Sequence, residues 1–454
     1  MSSKLQNNSK KFTCNKHSWE VIKALFKQSN GNYLIRHQID SYDDFINNKI
    51  PNIISQFNPV TICNKYDPEL NKFKYEIHVV FGQIYLGKPK IFENNGSSKI
   101  MFPIDARKRN LSYSSSLYID VSFIMKALDE KTLKMNDIYT KKFKKLIIGK
   151  IPIMLKSSFC MLNNRNIDLK LSKECRYDPG GYFIINGSEK VIISQERVAE
   201  NKILVFKNNK GSTKYSHVAE IKASNSHKFI TPKSVSIKLT SKESTHGRLL
   251  KIFIPNFKQE VPLFIIFRLL GVVSDKDIIE HIIYDYDKPI NKPLLNMLYG
   301  SLKDAEHIVS QDEAYEYVAN IINYIGYPKE LQMDDKKKYK YIDNLLKNDF
   351  LPNLGKSYKK KALFLGHMTK RLINCYIGRE AYDDRDNYIN KRIDLPGILL
   401  GNLFRQYFSK LVKDMRNAIM KEFNSGLWKT NENYVNIINN SNIYKIIKST
   451  TIES

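Results

Sequence analysis

Near residue 260 the spacing of hydrophobic positions changes from every second residue to every third or fourth, so a mainly strand-forming stretch gives way to a mainly helical one. Before that point, HSWEVIKALFKQ (17–28) has helical spacing. Ser41-Tyr-Asp-Asp44 has the capping-box pattern. It predicts that the Ser41 hydroxyl accepts from the Asp44 amide and starts a helix that runs to Phe57, interrupted by Pro51. KYEIHVVFGQIYL (74–86) is rich in β-formers and predicts a strand, and KKFKKLIIGKIPIML (141–155) leads from a basic cluster into another. In GGYFIINGSEKVIISQER (180–197) the runs Tyr182–Ile185 and Lys190–Ser194 read as two strands. Asn186-Gly187 between them supplies the positive φ values of a tight hairpin turn. Gly180 and Gly181 permit a bend or a close backbone approach just before it. Strands are also predicted over 218–224, 234–240 and 251–257.

Beyond residue 260, Ser274-x-x-Asp277 caps a helix over IIEHIIYD, and further helices are predicted over 303–327, 336–350 and 362–377. The stretch 395–423 places Leu400, Leu403, Tyr407, Leu411 and Met415 on one stripe, with Gly426 soon after its end. The expected class is α+β without an internal repeat. Low complexity is confined to short Lys runs and the Asn-rich stretch 436–442.

Composition narrows the partners. The chain has 454 residues, 42% of them hydrophobic, enough for two or three domains with real cores. Its formal charge is +27, which points to a polyanion. Lys outnumbers Arg 59 to 14, and Asn and Ile are abundant, as in proteins of AT-rich genomes. Basic runs at 107–109, 141–145, 336–340 and 359–361 would give affinity for phosphates without sequence readout. Cys14, Cys63, Cys160, Cys175 and Cys375 are odd in number, widely spaced and free of Cys-x-x-Cys, which argues against a disulfide scaffold or a zinc site. The polar, basic N-terminus has no apolar core of a secretory signal, and residues 1–16 read as a disordered basic tail. VPLFIIFRLLGVV (261–273) is too short to span a bilayer and contains Arg268, so it reads as buried core.

Catalytic motifs are missing. Leu354-Gly355-Lys356-Ser357 resembles the tail of a P-loop, but Phe350 stands where its leading glycine belongs. There is no Gly-x-Ser-x-Gly and no His-Glu-x-x-His. Asp383, Asp384 and Asp386 lie among Arg385, Lys391 and Arg392, which reads as a charge network rather than a metal site. His217, His281 and His367 sit in mixed apolar surroundings and read as structural.

The stretch 180–197, with Asn201 just after it, closely resembles the second-largest, β-like subunit of multisubunit DNA-directed RNA polymerases, nearest to the eukaryotic and large-DNA-virus branch. Other segments agree in the family's order: HQIDSYDDFI (37–46), FGQIYLGKP (81–89), FPIDARKRNLSYSSSLYID (102–120), KIPIMLKSSFC (150–160), SHVAEIKAS (216–224), LFIIFRLLGVVSDKDIIEHIIYD (263–285), FLGHMTKRLINC (364–375) and DDRDNYINKRIDLPGILL (383–400). The resemblance runs from about residue 17 to the end.

It implies a protrusion formed by 17–207 and returning over 391–454, with a lobe inserted over 208–390. Together these form one side of the DNA cleft. The family's fork domain, which opens with Gly-Asn-Trp, is not met before STTIES, so a fragment, a split-gene product or an intein-interrupted piece is expected. The resemblance assigns Lys190, Gln195, Arg197, Arg385, Lys391 and Arg392 to nucleic-acid contacts, with Asp383 and Asp384 orienting the cations. It assigns no catalytic residue and no cofactor to this chain: magnesium is held by another subunit, and the family's zinc site lies outside. The implied partners are the DNA template, the RNA–DNA hybrid, the largest subunit and the remainder of the second-largest, with no membrane. The location is intracellular, in a nucleus or in a viral cytoplasmic factory or virion. The other reading is a free-standing nucleic-acid-binding or interaction protein derived from such a subunit.

Overall fold

A computed structural model describes residues 16–28, 33–67, 72–128, 135–163, 174–175, 177–208, 214–225, 231–323, 335–424 and 443–453. The expected tail (apart from Lys16), Gly426 and the Asn-rich 436–442 lie outside these residues. The chain divides into two compact units, residues 1–195 with 394–454, and residues 196–393. The first division precedes the 207/208 boundary expected from sequence. Ile203–Lys207 pairs antiparallel with Tyr215–Ala223, so a cut at 207/208 would split a hairpin of the second unit's sheet.

The first unit begins with α1 (Lys16–Gln28), α2 (Arg36–Asp44) and α3 (Ile50–Gln56). Strands β1 (Val60–Asp67) and β2 (Lys72–Leu86) follow, then the hairpin β3 (Lys90–Phe92) and β4 (Ser98–Ile100), and α4 (Pro103–Lys108). After these come β5 (Ser114–Leu128), β6 (Met135–Pro152) and the hairpin β7 (Phe183–Ile185) and β8 (Ser188–Lys190). Strands β1-β2-β5-β6 form an antiparallel sheet in that order. Along β5, Leu117, Ile119, Val121, Phe123 and Met125 are buried and alternate with partly exposed residues, the period expected of a sheet with one covered face.

Three local expectations change here. Ser41 lies inside α2, not at its N-cap, because the helix already begins at Arg36; the Ser41 hydroxyl accepts instead from the Gly397 amide, 3.0 Å away. The single helix to Phe57 is α2, a π turn (Phe45–Lys49) and α3, with Pro51 as the second residue of α3, directly after the π turn. The second hairpin strand is Ser188–Lys190, not Lys190–Ser194. A two-residue turn with Asn186 at φ 50° and Gly187 at φ 77° makes Ile185 face Ser188, so pairing resumes at once.

The second unit contains β9 (Gln195–Val198), whose first residue belongs to the first unit, and β10 (Ile203–Lys207), β11 (Tyr215–Ala223), β12 (Lys233–Thr240), β13 (Leu250–Phe253) and β14 (Val261–Pro262). Strands β10 to β14 form a sheet in sequence order, each paired antiparallel with the next. Helices α5 (Leu263–Leu269), α6 (Asp275–Ile283), α7 (Lys292–Asp304), α8 (Gln311–Ile321), α9 (Asp335–Asn348) and α10 (Tyr358–Ile377) follow, and β15 (Lys391–Asp394) pairs with β9. Every residue of α5 is buried, Arg268 included. The Arg268 guanidinium donates to the carbonyls of Ala305, at 2.6 Å, and Ile308, and pairs with Asp275. That explains a charge inside the greasiest stretch of the chain. Ser274 stands at the N-cap of α6, as expected, without a side-chain cap bond. The helix expected over 303–327 is broken: α7 ends at Asp304, and Ser310 and Glu313 form a capping box that starts α8. Residues 324–327 of that expectation lie outside the described residues.

The chain returns to the first unit with α11 (Pro396–Asn424), α12 (Ile443–Ile446) and α13 (Thr450–Glu453). The buried stripe of α11 is Phe404, Phe408, Leu411, Met415 and Ile419, whereas Leu403 is exposed. Only the phase of the expected stripe changes. The Phe408 ring packs 5.3 Å from both Phe57 and Phe81, so this helix closes the core that α3 and β2 begin. Gly397 is required at its start: a Cβ there would meet the Ser41 carbonyl oxygen at 1.8 Å. Among the described residues no helix is long and apolar enough to cross a membrane.

Candidate nucleic-acid interface

In the first unit, the β7–β8 hairpin is held from within. Ile184 and Phe183 are buried, the Tyr113 amide donates to the Ile184 carbonyl, and the Gly187 amide donates to that of Leu111. The Tyr42 ring meets Phe183 edge-on at 5.6 Å. The outer strand is exposed throughout, so the anchored turn presents Lys190 to solvent at the end of β8. Gln195 is exposed at the start of β9. The neighbouring Glu189 accepts from Arg107 at 2.8 Å, and the same guanidinium grips Glu174. Arg109 pairs with Glu93, which holds that carboxylate down at about 2 with help from Lys99. Two of the three residues of the basic run 107–109 are thus committed inside the protein.

The other four candidates belong to the second unit. Arg197 donates to Glu200 at 2.7 Å. Lys391 lies 3.0 Å from Glu196 and 3.6 Å from Asp386, and the Glu196 hydrogen bond raises its pKa. Arg385 pairs with Glu220 of β11 and stacks its guanidinium 3.9 Å from the centre of the Phe206 ring of β10. Arg392 is exposed and donates only to backbone carbonyls, at 2.8 Å to its neighbour Lys391 and 3.4 Å to Ile389. The six candidates therefore differ in kind. Arg197, Arg385 and Lys391 already have carboxylate partners, and Arg392 has its charge uncompensated by any ion pair among the described residues.

The aspartates play a different part from the one expected. Asp383 does not orient Arg385; it accepts from Arg371 at 3.0 Å and from the Val205 amide at 2.9 Å, tying the loop to β10. Asp384 accepts from the Asp386 amide at 2.9 Å. The buried Asn390 accepts at its carbonyl from the Ala199 amide at 2.8 Å. Among the described residues no three His, Cys, Asp or Glu side chains converge as metal ligands. His217 stacks on Tyr382, with 3.1 Å between its Nε2 and the phenol oxygen, and burial pushes its pKa down.

Lys202 and Lys222, neither of which belongs to a basic run, join this region. With Arg385, Lys391, Glu220 and Asp386 they line a 290 Å³ cavity in which four cations face two carboxylates. The available signal was the period of β11: Glu220 and Lys222 alternate with the buried Ala219, Ile221 and Ala223 and so share its outer face.

A family described as RNA polymerase beta subunit matches residues 33–454. The DNA-directed RNA polymerase II subunit 2 of Arabidopsis thaliana is 38% identical over 423 residues, which cover 90% of this chain and 34% of that protein. The polymerase II subunit of Encephalitozoon cuniculi is 37% identical over 416 residues, with the same two coverages. The DNA-directed RNA polymerase subunit Rpo2N of Methanococcus vannielii is 34% identical over 410 residues, 88% of this chain and 74% of that protein. The chain thus spans about a third of the length of the two eukaryotic relatives.

Proposed function

Because the chain belongs to the RNA polymerase beta-subunit family, we propose that it is the N-terminal part of the second-largest subunit of a DNA-directed RNA polymerase and forms one side of its DNA cleft. The observation that carries this reading is the length of the family match, 33–454, which takes in the second unit whole, the first from residue 33 onward, and every candidate contact residue. In this reading the first unit is the protrusion and the second the lobe. Lys190 and Arg392 contact phosphates directly, and Gln195 adds a polar contact. The ion pairs of Arg197, Arg385 and Lys391 set the shape of the surface and leave part of each cation to nucleic acid. Transfer of nucleotides from NTPs to the RNA 3′ hydroxyl belongs to the assembled enzyme. Magnesium is held by another subunit and this chain carries no cofactor, so alone it is inactive. Its partners are the DNA template, the RNA–DNA hybrid, the largest subunit and the rest of the second-largest. A nuclear location goes with a eukaryotic polymerase II subunit. A viral factory or virion goes with a large DNA virus, the other source that the Lys, Asn and Ile bias fits.

Pull-down of the tagged chain from its native cells, followed by mass spectrometry, tests the proposal. Recovery of the largest subunit is expected. Recovery of the chain without any polymerase subunit would sink it.

A further inference from the structure

Three lysines of the first unit gather around one hollow away from the β7–β8 hairpin. A cavity of 410 Å³ opens between the β3–β4 hairpin and the ends of β5 and β6. That volume is in the range of small-molecule sites. Lys88, Lys90 and Lys150 reach it from three different elements: the loop after β2, β3 and β6. All three are exposed, and among the described residues none has a carboxylate partner. Three like charges around one hollow repel one another unless an anion lies between them.

The rest of the lining specifies the anion. Ser116 faces Lys150 across the β5–β6 pair, which puts a hydroxyl beside an ammonium on one face. Ser115 is 2% exposed, and its hydroxyl has no hydrogen-bond partner, an orphaned polar group in the wall of the cavity. Phe92 shares its strand face with Lys90, because Ile91 between them turns into the core, and its ring is 73% exposed. Hydroxyls and ammoniums together match phosphate oxygens, and an uncovered ring beside them matches the flat face of a base.

We propose that this cavity binds a phosphate group joined to a nucleobase, with Lys88, Lys90 and Lys150 on the phosphates, Ser116 as hydroxyl donor and Phe92 under the base. The chemistry is shared by a free nucleoside triphosphate and by a segment of single-stranded nucleic acid. The inference does not rest on the cleft assignment, since it uses none of the six residues proposed there.

The test uses the full chain carrying Lys190→Ala and Arg392→Ala as background, so that loss of the proposed cleft contacts is already accounted for. ATP and a short single-stranded DNA are titrated separately at low salt into this protein. They are titrated equally into the same protein with Lys88→Ala, Lys90→Ala and Lys150→Ala added, and into a third form with Phe92→Ala alone added. These side chains are solvent-facing, and matching thermal unfolding confirms that each form is folded. A roughly tenfold or greater weakening of ATP by the lysine substitutions, with a smaller loss for Phe92→Ala, assigns the site to free nucleotide. The same pattern for DNA, with no ATP binding, assigns it to a strand. The proposal is overturned if the background protein binds neither probe, or if the lysine substitutions leave both affinities unchanged.

Discussion

Lys361 is fully buried in the second unit, and its ammonium donates to three backbone carbonyls: Leu346 at 2.6 Å, Lys347 at 3.0 Å and Phe350 at 2.6 Å. These are carbonyls of the last turn of α9 and the residues after it, which have no helical donor of their own. The side chain comes from the first turn of α10, so one ammonium joins two helices and caps one of them. Burial lowers its pKa to about 8, which leaves it mostly protonated at neutral pH. Replacement by Met keeps most of the volume and removes all three donors. A hydrogen bond to a charged group contributes about 1.5–3 kcal/mol net of desolvation, and the three here share one ammonium, so their contributions do not simply add. The expected destabilisation by Lys361→Met is ~2–4 kcal/mol. For a unit of this size that is a fall in melting temperature of roughly 4–16 °C. Urea unfolding and thermal melts measure it, and hydrogen exchange at 345–350 should rise with it. A stability within about 0.5 kcal/mol of the parent would refute the reasoning, because it would mean that the carbonyls do not depend on this ammonium.

Two other outcomes follow from the geometry. If Lys190 and Arg392 each neutralise one phosphate, the double alanine variant should bind duplex or bubble DNA more weakly, with a log K against log salt slope shallower by about 1.8; an unchanged slope in a folded variant rejects that assignment. His217 has a folded pKa below its ordinary 6.5, through burial and then the charges of Lys207 and Arg248. The unfolded chain therefore takes up this proton first as pH falls, so the His217 contribution is fully present above 6.5 and lost on acidification below it. His217→Gln should flatten the decline in unfolding midpoint between about pH 6.5 and 5, read by urea titration at each pH, and an equally steep decline would show that other groups cause it.

Much of the fold was legible because it depends on neighbours in sequence. The strand at 74–86, the helices at 17–28 and 362–377 and the Asn186-Gly187 turn each follow from a local period or a local φ requirement, and the structure has all of them. Local pattern and structure part where a distant group outcompetes a local one. Ser41 has a capping-box partner three residues on, yet its hydroxyl serves Gly397. The stripe of α11 is set by which side meets Phe57 and Phe81, and that moved its centre from Leu403 to Phe404 and Phe408.

The same contrast decides the candidate interface. The order of motifs along the chain was sufficient to place it in its family, because that order is itself a property of the sequence. Arg385 and Arg392, by contrast, look equivalent in DDRDNYINKR. Only the folded chain brings Glu220, 165 positions away, to Arg385 and leaves Arg392 with backbone carbonyls alone. Periodicity and turn chemistry act over a few residues and can be read from text. Charge compensation depends on distance in space, and that distance exists only after the strands of the second unit have paired.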